Sequence, residues 1–195
     1  EPLEPVLDTV AEIDVMGFNY CEMHWLRFHE LRPQIPVVIT EDTSSAPTRG
    51  CYRTDKSTGR LSYLDPYQNE AFKFEENWSL VADNDFLSGI FIWSGFDYRG
   101  EPSPFGWPQV ASQYGVMDSC GFPKDAYYYY RSQWTAEPQI HLFPHWNASR
   151  PVTDEVTVYC YTNCEEAEII LNGRSHGRKH ATPHHHLEWS GIVYE

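Results

Sequence analysis

No stretch of this 195-residue chain approaches the roughly 18 consecutive apolar residues that mark a membrane-spanning helix. The opening EPLEPVLDTV lacks the basic start and apolar run of a secretion signal. A mature or truncated chain would lack them too, so export stays open. Basic residues are scarce: 14 Lys and Arg stand against 28 Asp and Glu, a formal net charge of −14. Such a chain repels phosphate backbones, and no nucleic-acid partner is expected. The five cysteines, Cys21, Cys51, Cys120, Cys160 and Cys164, form no CxxC pair and no zinc-ligand spacing. Along a strand Cys160 and Cys164 would stand about 13 Å apart, too far to bond without a turn at Thr162-Asn163. All five read as unpaired packing residues. His184, His185 and His186 are consecutive, so alternate rings point to opposite faces of a strand. With His176 and His180 they read as a solvated strand or loop, and His24 and His29 are not a metal pair by spacing.

What is present is a globular composition, 41% hydrophobic and 15% aromatic. The rings suit a core first. Some could instead line a sugar site, because aromatic faces stack on the apolar faces of pyranose rings. The chain divides near Glu137-Pro138. Upstream, buried-strand runs alternate with helical stretches, the pattern of an α/β protein. Residues 3–12 can form a helix with Leu3, Val6, Leu7 and Val10 on one face. IDVMGF (13–18) reads as a strand, and residues 22–32 as an amphipathic helix stopped by Pro33. PVVIT (36–40) is too short for a helix and too apolar for an edge, so it is expected to be a strand covered on both faces. A breaker-rich loop over 42–66 leads to an expected helix at 68–84 and a third strand, LSGIFIW (87–93). The Gly- and Pro-rich RGEPSPFGWP (99–108) reads as a loop and KDAYYYYRSQW (124–134) as a closing helix.

Downstream of Pro138 the period falls to two. QIHLF (139–143), EVTVYCY (155–161), AEIILN (167–172) and HHLEWSGIVYE (185–195) read as strands, with a hairpin signal at Asn172-Gly173. These are the marks of a small β-sandwich, incomplete as given. Three strand–helix units fall short of the eight that a (β/α)8 barrel needs. The first part is therefore a small open α/β sheet or a piece of something larger.

Polar groups gather at the ends of the apolar runs. Glu41 directly follows PVVIT, and the C-terminal end of a buried parallel strand is where barrel enzymes hold catalytic groups. A helix cap or a loop salt bridge is the plainer fate of a Glu there. Asn19 and Tyr20 follow IDVMGF, and Trp93 closes IFIW ahead of Asp97. A carboxylate nucleophile, a phenol to hold it and an indole to floor a sugar ring are the parts a retaining glycosidase needs. Core packing is the competing explanation for Trp93.

IDVMGFNYCE, IPVVITEDTSSAPTRGCY and DFLSGIFIWSGFDYRGEPSPFGWP, followed by SQYGVMDSCGFPKDAYYYYRSQW, resemble glycoside hydrolase family 2, the β-galactosidase family. The likeness covers residues 8–135 and implies an α/β fold: about strands 6–8 of a TIM (β/α)8 barrel, over residues 1–137. Residues 138–195 resemble the immunoglobulin-like domain that follows this barrel in many bacterial members, here a partial all-β sandwich.

The resemblance implies roles. Glu41 matches the family nucleophile, Tyr20 the tyrosine that hydrogen-bonds it and Trp93 the tryptophan under the sugar. Asn19 and Asp97 are weaker transfers as subsite contacts. Phe105 and Trp107 could shape the rim. The acid/base glutamate of the family follows an asparagine at the end of the fourth strand. The only Asn-Glu here, Asn69-Glu70, falls in the helix before the last strand, so the chain alone is expected to be inactive. The loop after Glu41 has no Asn-x-Lys of the kind that binds glucuronides, and Arg49 and Arg53 are expected to pair with nearby acids. A β-galactoside is favoured over another neutral β-hexoside, a β-glucuronide or a non-catalytic sugar-binding role. No cofactor is evident, although galactosidases of the family can use Mg²⁺ held largely by upstream ligands. The partners expected are a carbohydrate substrate and the rest of the same enzyme, with no membrane and with homo-oligomerisation open. The expected location is periplasmic or extracellular.

Overall fold

A computed structural model describes residues 3, 7, 10, 12–44, 47–64, 72–147 and 153–194. The helix expected over 3–12 falls largely outside the described residues, as do Asn69 and Glu70. The chain separates into two compact units, Glu1–Ser45 with Phe72–Ser94 and Ala46–Ala71 with Gly95–Glu195.

The first unit is built on a three-stranded parallel sheet in the order β1-β2-β3: β1 (Met16–Asn19), β2 (Val37–Asp42) and β3 (Leu87–Ile92). Helix α1 (Met23–Leu31) links β1 to β2, and α2 (Lys73–Ala82) precedes β3. Trp25 and Phe28, three apart on α1, are fully buried against Phe18, Val37 and Ile39, and Val81 of α2 joins the same core. One face of the sheet is thereby sealed, and each fully buried Val or Ile there contributes about 1.5–3 kcal/mol. The other face is open: Thr40 is exposed, and so is Phe91. The expectation that β2 is covered on both faces is thus corrected, because both helices pack on the Val37–Ile39 side. Two boundaries also move. β1 begins at Met16, and β2 runs on through Glu41 and Asp42.

In the second unit a short hairpin brackets the expected 99–108 loop: β4 (Tyr98–Arg99) pairs antiparallel with β5 (Ala111–Ser112). Helix α3 (Asp125–Trp134) follows, and then β6 (Ile140–Phe143), β7 (Glu155–Thr162), β8 (Glu166–Leu171), β9 (Arg174–His180) and β10 (Leu187–Val193). The order β10-β7-β6 forms one antiparallel sheet, and β8-β9 forms a second. Alternate residues Val156, Val158 and Cys160 of β7 meet Leu187, Trp189 and Ile192 of β10 and Ile169 of β8, so the two sheets share a core. Asn172 and Gly173 have φ of 49° and 80°, both positive as a two-residue type I′ turn demands. The turn signal read from sequence is met. A cluster of rings joins α3 to β6 and β7: Tyr129 and Phe143 each lie edge-on or tilted to Tyr161, whose hydroxyl bonds that of Tyr63 at 2.8 Å. All five cysteines are free, and burial, slightly offset by a backbone hydrogen bond, pushes the Cys160 thiol up to about 11.

Candidate active site

Three strand ends of the first unit meet through their backbones. The Tyr20 N–H donates to the Glu41 carbonyl at 2.9 Å, and the Trp93 N–H donates to the Asp42 carbonyl at 2.8 Å. The Trp25 indole N–H donates to the Tyr20 carbonyl at 2.9 Å, anchoring the end of β1 to buried α1. Tyr20, Glu41 and Trp93 therefore sit at one rim, as expected. The Tyr20 phenol stands within hydrogen-bonding reach of the Glu41 and Ser44 side chains. Its pKa is pushed up to about 12: burial is the main cause, Ser44 opposes it, and Glu41 adds to it. The phenol is thus a lasting proton donor toward the Glu41 carboxylate. Trp93 is 37% exposed, a ring partly available above the rim and not sealed in a core. Asn19 lies at the same edge, where Thr40 Oγ1 donates to its Oδ1 at 2.6 Å and to the Phe18 carbonyl at 3.0 Å.

A supporting layer beneath Glu41 was not read from sequence. Asp42 is 1% exposed, and its Oδ2 accepts from Asn77 Nδ2 of α2 and from the Thr43 hydroxyl at 3.1 Å. Asn77 Nδ2 also donates to Glu22 Oε1 at 3.1 Å, and Glu22 pairs with Lys73 at 3.1 Å. Burial pushes Asp42 above the usual carboxylate range, against its hydrogen bonds to Asn77 and Thr43. For Glu22 burial acts the same way, but hydrogen bonds from its own backbone, Lys73 and Asn77 outweigh it and hold the carboxyl low. Nothing in the sequence says that Asn77 faces a carboxylate.

Asp97 and Trp107 belong to the second unit. Asp97 Oδ1 accepts from the buried Lys124 ammonium at 2.6 Å and from the Gly115 N–H at 3.0 Å. Burial draws Lys124 down and Asp97 up, and their contact opposes both shifts. Trp107 is 86% exposed. Arg49 pairs with an acid as expected: its Nε donates to Asp118 at 2.6 Å, and its guanidinium lies 5.0 Å from the Phe122 ring. Tyr52 and His141 both bond the carboxylate of Asp125, each at 2.7 Å. Among the described residues no group of three or more His, Cys, Asp or Glu side chains could hold a metal ion. Among those residues, also, no helix is long and apolar enough to cross a membrane.

A family model described as "Domain of unknown function (DUF4982)" matches residues 154–195. The chain is 40% identical over 185 residues to the beta-galactosidase BoGH2A of Bacteroides ovatus, a match covering 86% of this chain and 22% of that protein. It is 43% identical over 180 residues to a putative beta-glucuronidase of Formosa agariphila, covering 73% of this chain and 17% of that protein. The chain thus spans about a fifth of the length of these curated relatives. Among solved structures, a beta-glycosidase from Bacteroides vulgatus superposes with a TM-score of 0.75 at 27% identity, over 94% of this chain and 28% of that one. These likenesses run through both units and agree with the quoted motifs: the chain is a fragment of the glycoside hydrolase family 2 kind.

Proposed function

We propose that this chain is part of a retaining glycoside hydrolase that cleaves terminal β-D-galactosides, with Glu41 as nucleophile. The observation that carries this reading is the meeting of three strand ends, which sets the Tyr20 phenol within reach of Glu41 beside the half-open Trp93 indole. An ionised carboxylate there can attack an anomeric carbon. The Glu41 oxygen bonds to that carbon as the bond to the aglycone oxygen breaks, and the leaving oxygen takes a proton from a second carboxyl. Water then cleaves the glycosyl-Glu41 ester, returning a proton to that second carboxyl. The pair must stand about 5–5.5 Å apart. The second carboxyl is assigned to the remainder of the enzyme, so the chain on its own should not turn over substrate. Tyr20 orients Glu41, Trp93 floors the sugar, and Asn19 is a proposed subsite contact; Asp97 and Trp107, expected as further contacts, belong to the second unit.

In this reading residues 1–137 are the last three strand–helix units of a (β/α)8 barrel, and 138–195 begin an immunoglobulin-like sandwich. The open sheet face bearing Phe91 supports this, since a barrel would cover it with the other strands. The sugar assignment has a competitor, because the F. agariphila relative is named a putative beta-glucuronidase. Against it, the loop after Glu41 has no Asn-x-Lys, and Arg49 pairs with Asp118. A periplasmic or extracellular setting is proposed with it.

The test uses the full-length enzyme with p-nitrophenyl β-D-galactoside and β-D-glucuronide, and with activated 2-deoxy-2-fluoro derivatives of both sugars. Faster turnover of the galactoside and a covalent label on Glu41 are expected. A label on another residue would sink the nucleophile assignment, and preference for the glucuronide would overturn the sugar.

A further inference from the structure

The register of β2 carries a fault at the point where Glu41 stands. Against β1, Phe18 pairs with Ile39 but Asn19 pairs with Glu41; against β3, Ile39 pairs with Ile90 but Asp42 pairs with Ile92. From Ile39 onward β2 therefore runs one residue longer than either neighbour; against β3 this offsets an extra residue that β3 carries between Leu87, paired with Val37, and Ile90. A strict alternation would return Glu41 to the side of Val37 and Ile39, into the core beneath the helices. The extra residue breaks that alternation. Asp42, not Glu41, becomes fully buried, and Thr40 and Glu41 are both left accessible. Inserted residues of this kind re-aim side chains and are found beside active sites.

An apolar residue would be the ordinary occupant of such a buried position. Here it is a carboxylate, with Oδ2 bonded to Asn77 and Thr43 and Oδ1 buried without a partner among the described residues. Burying an acid in this way costs stability. Thr43 beside it is a β-branched residue at φ 67°, a conformation that needs outside support. The Asn77 amide is itself oriented, because the same Nδ2 donates to Glu22, which Lys73 holds. The supports thus run from α2 to the strand end, and they act on the residue next to Glu41.

We propose that Asp42 and Asn77 are positioning residues: their hydrogen bond locks the extra residue of β2 and so holds the Glu41 carboxylate toward the substrate side. The proposal rests on Glu41 being the nucleophile. Neither residue touches substrate, so their loss acts on the bond-forming step and little on ground-state binding.

The test compares the parent full-length enzyme with Asn77→Ala, Asp42→Ala, Asp42→Asn and the Asp42→Ala/Asn77→Ala double variant. The readouts are kcat, KM, and the rate of Glu41 labelling by activated 2-deoxy-2-fluoro-β-D-galactoside, with the 2-fluoro glucuronide run in parallel. Asn77→Ala and Asp42→Ala should each lower kcat and the labelling rate about 10- to 100-fold, as groups that orient a reacting ligand do. KM should stay within about threefold. The double variant should be no slower than the worse single, since the two act as one unit. Asp42→Asn keeps an acceptor oxygen for Asn77 and should recover part of the rate lost in Asp42→Ala. Asn77→Ser replaces Asn77→Ala if the latter does not fold. Labelling of Glu41 at the parental rate in folded Asn77 and Asp42→Ala variants overturns the proposal while leaving the nucleophile assignment standing. A parent that carries no label on Glu41 overturns both.

Discussion

The two units bury polar groups for different ends. In the first, Asp42 goes down among neutral partners, the Asn77 amide and the Thr43 hydroxyl, and the network ends on the outlying Glu22–Lys73 pair. In the second, Asp97 meets a buried cation directly, since Lys124 sits 2.6 Å away with its side chain 1% exposed. That pair ties down a loop: Lys124 Nζ also donates to the Gln113 carbonyl at 2.7 Å, Gly115 donates to Asp97, and the β4–β5 hairpin lies between. A carboxylate held by neutral donors keeps its charge at a cost. One held by a cation makes two costly groups depend on each other. The first arrangement suits a strand end whose geometry matters more than its stability, and the second suits a structural clasp.

Five substitutions and one pH series press on that contrast. Glu41→Gln should have the largest consequence, a loss on the order of 10³-fold or more in kcat of the full-length enzyme with an unchanged unfolding midpoint. An equal loss of stability would make Glu41 a structural group and erase the distinction. Asp97→Asn strands the Lys124 charge and should cost about 3–5 kcal/mol in denaturant unfolding. Asp42→Asn leaves no such orphan, so a loss as large as that of Asp97→Asn would refute the difference between the units.

Gly115→Ala comes next. A Cβ there would lie 2.2 Å from both the Asp97 nitrogen and the Phe96 carbonyl carbon, backbone atoms that cannot step aside. A destabilisation of about 1–3 kcal/mol, or more, is expected from the forced shift, read as a lower thermal midpoint.

The pH series follows Asp42. Its pKa is raised in the folded state, chiefly by burial, so the fold binds its proton more tightly than the unfolded chain does. The contribution is therefore present below the ordinary value of 3.8 and is lost as pH rises through the raised value. The stability of Asp42→Asn relative to the parent should increase across that window and then level off, measured by urea unfolding at successive pH values. A flat difference would show that Asp42 does not titrate as its burial demands. The smallest effect belongs to the β8–β9 turn, where Gly173→Ala at φ 80° should cost about 1 kcal/mol. A loss below a few tenths would mean that the hairpin tolerates strain better than the rim of β2.

Much of the framework was legible because it follows from local pattern. IFIW and PVVIT are short apolar runs between breakers, and β3 and β2 lie over them. Pro33 marks the end of α1, and Asn172-Gly173 carries the two positive φ angles of its turn. The residues at the strand ends, Tyr20, Glu41 and Trp93, were visible as polar or aromatic groups after those runs. The extra residue in β2 was not visible, because a register exists only between strands and the run PVVITED reads the same with or without it. The β4–β5 hairpin was missed for a related reason: two-residue strands have no period to detect. Asp42–Asn77 and Asp97–Lys124 join residues 35 and 27 positions apart, and no local signal couples such positions.

What the amino-acid order determined by itself is therefore the set of elements and the residues at their ends, since hydrophobic period and turn chemistry act over a few neighbours. Only tertiary structure decided which way those end residues face. Glu41 and Asp42 are adjacent acids of the same strand, and nothing in their sequence ranks one above the other. Pairing with β1 and β3 on either side, and the Asn77 amide from α2, sent Asp42 into the core and left Glu41 beside Tyr20.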